Sequence, residues 1–76
     1  MIQTLEKIKK NVHLKNKMAL KNYRSVQTIE RWMKTNSVNL RTEMNLKLMA
    51  EELEISPEEV LLDLQGQKNS NHTPSV

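Results

Sequence analysis

Residues 15–32 constrain the fold more than any other stretch, because this region holds two helical patterns separated by a short corner. The apolar residues recur at helical spacing in both halves: Leu14, Met18 and Ala19 in the first, then Val26, Ile29 and Met33 in the second. Ser25 stands directly before the second pattern, where its hydroxyl can accept a hydrogen bond from an unpaired N–H of the first turn. Asn22, Tyr23 and Arg24 lie between the two patterns and are expected to form the turn. The segment therefore predicts a helix-turn-helix.

A family resemblance depends on this segment and on the chain that follows it. The matching residues of the segment are Ala19, Ser25, Thr28, Ile29, Arg31 and Trp32. With them, the chain resembles the lambda-repressor-like (Cro-type) helix-turn-helix family, and the run LKLMAEELEISPEEVL resembles that family's fourth and fifth helices. The resemblance covers positions 12–64. It departs from the family pattern at Tyr23, where glycine is usual, and at Asn22, where an apolar residue is usual.

The resemblance implies binding to duplex DNA, since helix-turn-helix units commonly place their second helix in the major groove. Glutamine suits an adenine edge, arginine suits guanine, and a threonine methyl can contact the thymine methyl. The expected base-reading residues are Gln27, Thr28 and Arg31. The expected phosphate contacts are Lys15, Lys17, Arg24, Ser25 and Lys34. Members of this family often bind as dimers, so a homodimer is an open expectation that the composition does not decide.

Some of these residues have a second interpretation. Arg31 either reads a base or holds a phosphate or a carboxylate, since phosphates take half or more of protein–DNA hydrogen bonds. For Trp32, core packing is favoured over stacking on a base, because an indole buries much area and Tyr23 is the chain's only other aromatic residue. The lysines that end the first predicted helix contact phosphates or simply complement the helix dipole: Lys7, Lys9 and Lys10.

The charge of the chain is segregated along its length. Positions 1–42 hold ten basic and two acidic residues, a net charge of +8. Positions 43–76 hold two basic and seven acidic residues, a net charge of −5, and together the halves give the +3 of the whole chain. A domain polarised in this way presents its basic side to a polyanion. The alternative is that both halves are ordinary solvated helix faces.

The remaining pattern predicts an all-α fold, a compact bundle of about five short helices with a disordered C-terminal tail. The other helices are expected at about 2–10, from 12 to the corner, at 43–54 and at 57–64, and the candidate recognition helix at 26–35. Ser56, Pro57 and Glu59 form a capping box at the start of the last helix. The helix-turn-helix domain is therefore expected at 1–64 and the tail at 65–76.

Several functional classes are disfavoured by composition. The chain has no cysteine, no glycine-rich phosphate loop and only two distant histidines, so we expect no enzyme, no metal, no cofactor and no small-molecule substrate. No apolar run is long enough to span a bilayer, and the first residues lack the apolar core of a signal peptide. The expectation is a cytoplasmic protein without a membrane partner.

Two other functions remain as alternatives to DNA binding. A helical protein-interaction module, antitoxin-like or an accessory subunit, would use the acidic fourth and fifth helices. A basic amphipathic helix on a membrane would use Ile2, Leu5 and Ile8 with the nearby lysines, but these apolar residues are needed for a core. Steep weakening of duplex DNA binding by salt separates the leading hypothesis from the protein-interaction module.

Overall fold

The computed structural model describes residues 4–69, and every regular element in that range is helical. The α-helices are α1 (Thr4–Lys9), α2 (Val12–Asn22), α3 (Val26–Thr35), α4 (Glu43–Leu53) and α5 (Pro57–Asn69). A short 3₁₀ helix, Val38–Arg41, joins α3 to α4. The predicted fold class is confirmed: the chain folds into an all-α bundle of five short helices in which α2, a turn and α3 form the helix-turn-helix.

Polar side chains fix the starts of four helices. Asn11, Ser25 and Thr42 each accept a hydrogen bond from the backbone N–H three residues ahead, at 2.9, 3.1 and 3.3 Å. Ser56 and Glu59 form the predicted capping box, since each side chain accepts from the other residue's backbone N–H at 3.1 Å. These helix starts follow from local sequence, because each contact spans only three residues.

Three helices end on a residue with left-handed backbone geometry that is not glycine. Tyr23, Asn36 and Glu54 have φ angles of 56°, 50° and 61°. In each case the next residue donates its N–H to a carbonyl five residues back, which closes the helix end: Arg24 to Ala19, Ser37 to Trp32 and Ile55 to Ala50. The chain can therefore turn sharply at three places without glycine, at a cost in backbone strain.

The core draws one or more apolar side chains from every helix. The most buried of them are Ile8, Leu14, Met18, Ile29, Met33, Leu40, Met49, Val60 and Leu64. The side chain of Val12 is 65% exposed, because the chain has already turned at Asn11 into α2. Val38 is 68% exposed, while Leu40 in the same 3₁₀ helix is fully buried.

The last helix is longer than the sequence predicted. The tail was expected from residue 65, but α5 continues to Asn69, so positions 65–69 are helical. Gly66 interrupts neither the helix nor any packing, since no atom lies within 4 Å of where its Cβ would be. One exposed glycine costs a helix only about 1 kcal/mol relative to alanine. The rest of the predicted tail, 70–76, and Ile2 of the predicted first helix lie outside the described residues.

A long-range contact fixes the short first helix on the last one. The backbone N–H of Thr4 donates to the Asp63 carboxylate at 2.6 Å, so a side chain of α5 caps the start of α1. The partners are 59 residues apart in sequence. This contact joins the first helix of the bundle to the last one. α1 also packs on α2 and α3, the two helices of the helix-turn-helix.

Candidate nucleic-acid interface

The turn between α2 and α3 is built without glycine. Tyr23 takes the left-handed conformation expected of glycine there, and its side chain is 92% exposed. Its backbone N–H donates to Leu20, and Arg24 donates to Ala19. The turn thus keeps the hydrogen bonds of a glycine-ended helix, and the strain falls on Tyr23.

Three asparagines form a hydrogen-bond network behind this turn. Asn45 of α4 is fully buried, and its amide exchanges hydrogen bonds with the Asn22 amide at 2.8 and 3.3 Å. Asn45 also donates to the Asn39 carbonyl at 2.9 Å, and Asn22 donates to the Met18 carbonyl at 2.7 Å. The network joins the end of α2 to the 3₁₀ helix and to α4. It therefore holds the helix-turn-helix in place against the acidic half of the bundle.

The candidate recognition helix α3 has the bounds that the sequence predicted, and it separates its apolar and polar faces clearly. Ile29 and Met33 are buried, and Val26 packs against the core beside them. Arg31 lies about 160° around the helix from Ile29, because each residue advances by about 100°. We define the recognition face as the opposite side of α3, formed by Gln27, Thr28, Arg31, Lys34 and Thr35.

Two of the three predicted base-reading side chains are available on this face. Gln27 and Arg31 are exposed, and neither side chain forms a hydrogen bond or ion pair within residues 4–69. Thr28 is half-buried, and its hydroxyl lies 3.1 Å from that of Ser25. Since that hydroxyl is already hydrogen-bonded, we expect Thr28 to contribute little to base recognition through hydrogen bonds. Gln27 and Arg31 stand one helical turn apart and extend from the same side of α3.

The predicted phosphate contacts divide into exposed and engaged side chains. Arg24 and Lys34 are exposed, and Lys17 is half-buried. The Ser25 hydroxyl is occupied as the cap of α3. Lys15 is not a free surface cation: its ammonium lies 3.0 Å from the Glu30 carboxylate, and its side chain is only 13% exposed. This ion pair bridges α2 and α3, so Lys15 helps to hold the two helices together.

Trp32 lies at the edge of the core. It is half-buried and packs against the core cluster, as expected from its area, although it is less buried than Ile29 and Met33 on the same helix. Its backbone carbonyl accepts from Ser37 at 2.8 Å and so also helps to end α3. Core packing therefore explains the position of the Trp32 side chain.

Other ligand classes find little support in residues 4–69. No group of three or more His, Cys, Asp or Glu side chains there could hold a metal ion. Among the same residues, no helix combines the length and the apolar character needed to cross a membrane.

Comparison with known proteins gives no family for this chain. No family model, curated protein or solved structure matches it. The residues and their placement therefore carry the functional inference.

Proposed function

We propose that this protein binds double-stranded DNA sequence-specifically, with α3 in the major groove, and that it acts as a small transcriptional regulator. The observation that carries the proposal is the recognition face. On it, the exposed side chains of Gln27 and Arg31 lie one helical turn apart, and the opposite side of α3 packs against the core. A base-reading helix needs this combination of adaptable polar groups and a fixed backbone.

The two exposed side chains have complementary roles in this proposal. Gln27 lies in the first turn of α3, which enters the groove most deeply in helix-turn-helix units, and its amide pairs with an adenine edge. Arg31 lies one turn later, where its guanidinium pairs with guanine. Because neither group forms a hydrogen bond or ion pair within residues 4–69, neither must break such a contact before it reaches DNA.

Cations around α3 supply the sequence-independent part of binding. Residues 12–35 hold six basic residues and one acidic residue, and that carboxylate is already paired with Lys15. Arg24, Lys17 and Lys34 remain to contact phosphates on either side of the groove. A protein bound in this way would repress by occluding the site from other proteins.

Selection of bound sequences from a random duplex pool tests the proposal. An enriched motif containing an adenine and a guanine a few base pairs apart is the expected result. A palindromic pair of motifs would in addition indicate a homodimer, because half-site symmetry mirrors protein symmetry. Retention of duplexes without any enriched sequence would contradict base reading by Gln27 and Arg31.

A helical protein-interaction module is the second candidate, and the surface of α5 favours it. Leu62 is 67% exposed on a helix whose first turn is acidic. Such a surface fits a basic protein partner better than a nucleic acid. Absence of duplex DNA binding at low salt would favour this second function, since electrostatic attraction to phosphates is strongest there.

A further inference from the structure

A small pocket lies where the end of α1 meets α2 and α3, and it shares Lys34 with the recognition face. Its volume is about 260 Å³, and it is lined by Lys9, Lys15, Glu30, Met33 and Lys34. We call this group the lysine pocket. Pockets that take drug-sized ligands measure about 300–1,000 Å³, so this one suits a smaller molecule.

The charges of the lysine pocket are unbalanced. Three lysines and one glutamate line it, which gives a net charge of +2. The carboxylate of Glu30 is paired with Lys15 at 3.0 Å. In the part of the chain that the structure describes, Lys9 and Lys34 form no ion pair. Like charges that line one pocket repel each other, and a bound anion would relieve that repulsion.

Lysine ammonium groups recognise phosphate as point charges, and each offers three N–H donors. A phosphate monoester carries a charge of about −1.5 to −2 at pH 7, close to the +2 of the pocket. A phosphodiester of DNA carries only one negative charge. The Met33 side chain, which is buried, gives the pocket an apolar side, while the cations come from three different helices.

We propose that the lysine pocket binds a phosphate group, and that a small phosphate monoester is the form that its charge and size fit best. Lys9 and Lys34 hold the phosphoryl oxygens, and Glu30 keeps Lys15 in place beside them. The proposal does not depend on DNA binding. A backbone phosphate of DNA shares the same chemistry, and duplex binding by a Lys9 variant distinguishes the two sources.

Titration of the full chain with inorganic phosphate, followed by calorimetry or by the rise in Tm, tests the site. Chloride at matched ionic strength is the reference salt. Lys9→Ala is the test variant, and Lys21→Ala is its control, since Lys21 is an exposed lysine that does not line the pocket. Phosphate should bind about tenfold more weakly to Lys9→Ala and with unchanged affinity to Lys21→Ala.

Two further comparisons complete the test. Lys34→Ala should weaken phosphate binding as Lys9→Ala does, and binding to the unmodified protein should weaken from pH 7.5 to pH 5, because the second pKa of phosphate is about 6. Equal phosphate affinity in Lys9→Ala and Lys21→Ala, or no phosphate binding at all, would overturn the proposal.

Duplex DNA binding by the same variants identifies the source of the phosphate. If Lys9→Ala loses phosphate but binds duplex DNA as well as Lys21→Ala does, the pocket takes a free ligand. If Lys9→Ala also loses more duplex affinity than Lys21→Ala, the pocket takes the DNA backbone. A chain that bound phosphate but no duplex would refute the proposed DNA function and leave the pocket standing.

Discussion

Glu54 adopts a left-handed backbone conformation at the end of α4, with φ of 61° and ψ of 41°. This conformation costs most residues about 1–2 kcal/mol, and only glycine adopts it freely. Glu54 is exposed, and its side chain forms no hydrogen bond or ion pair within residues 4–69. Glu54→Gly should therefore raise the free energy of unfolding by about 0.5–1 kcal/mol in urea denaturation, after the greater entropy of glycine in the unfolded chain is counted.

Asn36 provides the matched control for this prediction. It has the same backbone geometry at the end of α3, but its amide donates to the Leu64 carbonyl at 2.9 Å and its side-chain oxygen accepts from Arg41 at 3.4 Å. Asn36→Gly relieves little strain, since asparagine tolerates the left-handed region, and it removes both contacts. It should lower stability. Equal gains at the two positions would show that backbone strain is not what distinguishes them.

Residue-scale features of the fold were predictable where their causes are local. The caps of α2, α3, α4 and α5 each depend on contacts within three residues, so Ser25 and the Ser56–Glu59 box were found from sequence. The Lys15–Glu30 pair was not found, because its partners are 15 residues apart and nothing in the local pattern joins them. The sequence therefore predicted Lys15 as a phosphate contact and missed its role between two helices.

The elements α2 and α4 are coupled through the asparagine network, and this coupling can be measured. Asn22→Leu or Asn45→Leu alone removes both hydrogen bonds between the two side chains and leaves the partner amide with only its bond to a backbone carbonyl. This loss costs about 1–3 kcal/mol. The double variant removes both amides together. Its loss in the free energy of unfolding should be smaller than the sum of the single losses by about 0.5–3 kcal/mol. Urea denaturation of the four proteins gives the cycle, and strictly additive losses would exclude the coupling.

At the scale of elements, helix existence was easier to predict than helix partners. The bounds of α3 match the expectation because Ser25 and the apolar spacing mark both its start and its buried face. The sequence did not predict the burial of Asn45, although this residue lies one turn before Met49 on the buried face of α4. Only the position of Asn22, 23 residues earlier in the chain, explains why an amide is stable there. The exposed side of α3 could be predicted from the spacing of its apolar residues. The lysine pocket could not, because its residues come together only when three helices pack.

The whole molecule is electrically polarised. The helix-turn-helix, residues 12–35, holds six basic residues and one acidic residue, while α4 and α5 together hold six acidic and two basic residues. In the proposed complex with DNA, this polarity orients α3 toward the phosphates and keeps the acidic helices away from them. If Lys17, Arg24 and Lys34 contact phosphates, the logarithm of duplex affinity should fall with the logarithm of salt concentration with a slope of about −3 per protomer.

The proposal that α3 reads sequence is tested most directly by two alanine variants on two duplexes, one selected from the random pool and one scrambled. Gln27→Ala should lose about 1–3 kcal/mol on the selected duplex, relax the preference at one base pair and bind the scrambled duplex as before. Lys17→Ala should weaken both duplexes alike and reduce the salt slope by about 1. If both variants weakened both duplexes equally, the basic half would be a non-specific polyanion surface and α3 would not be a recognition helix.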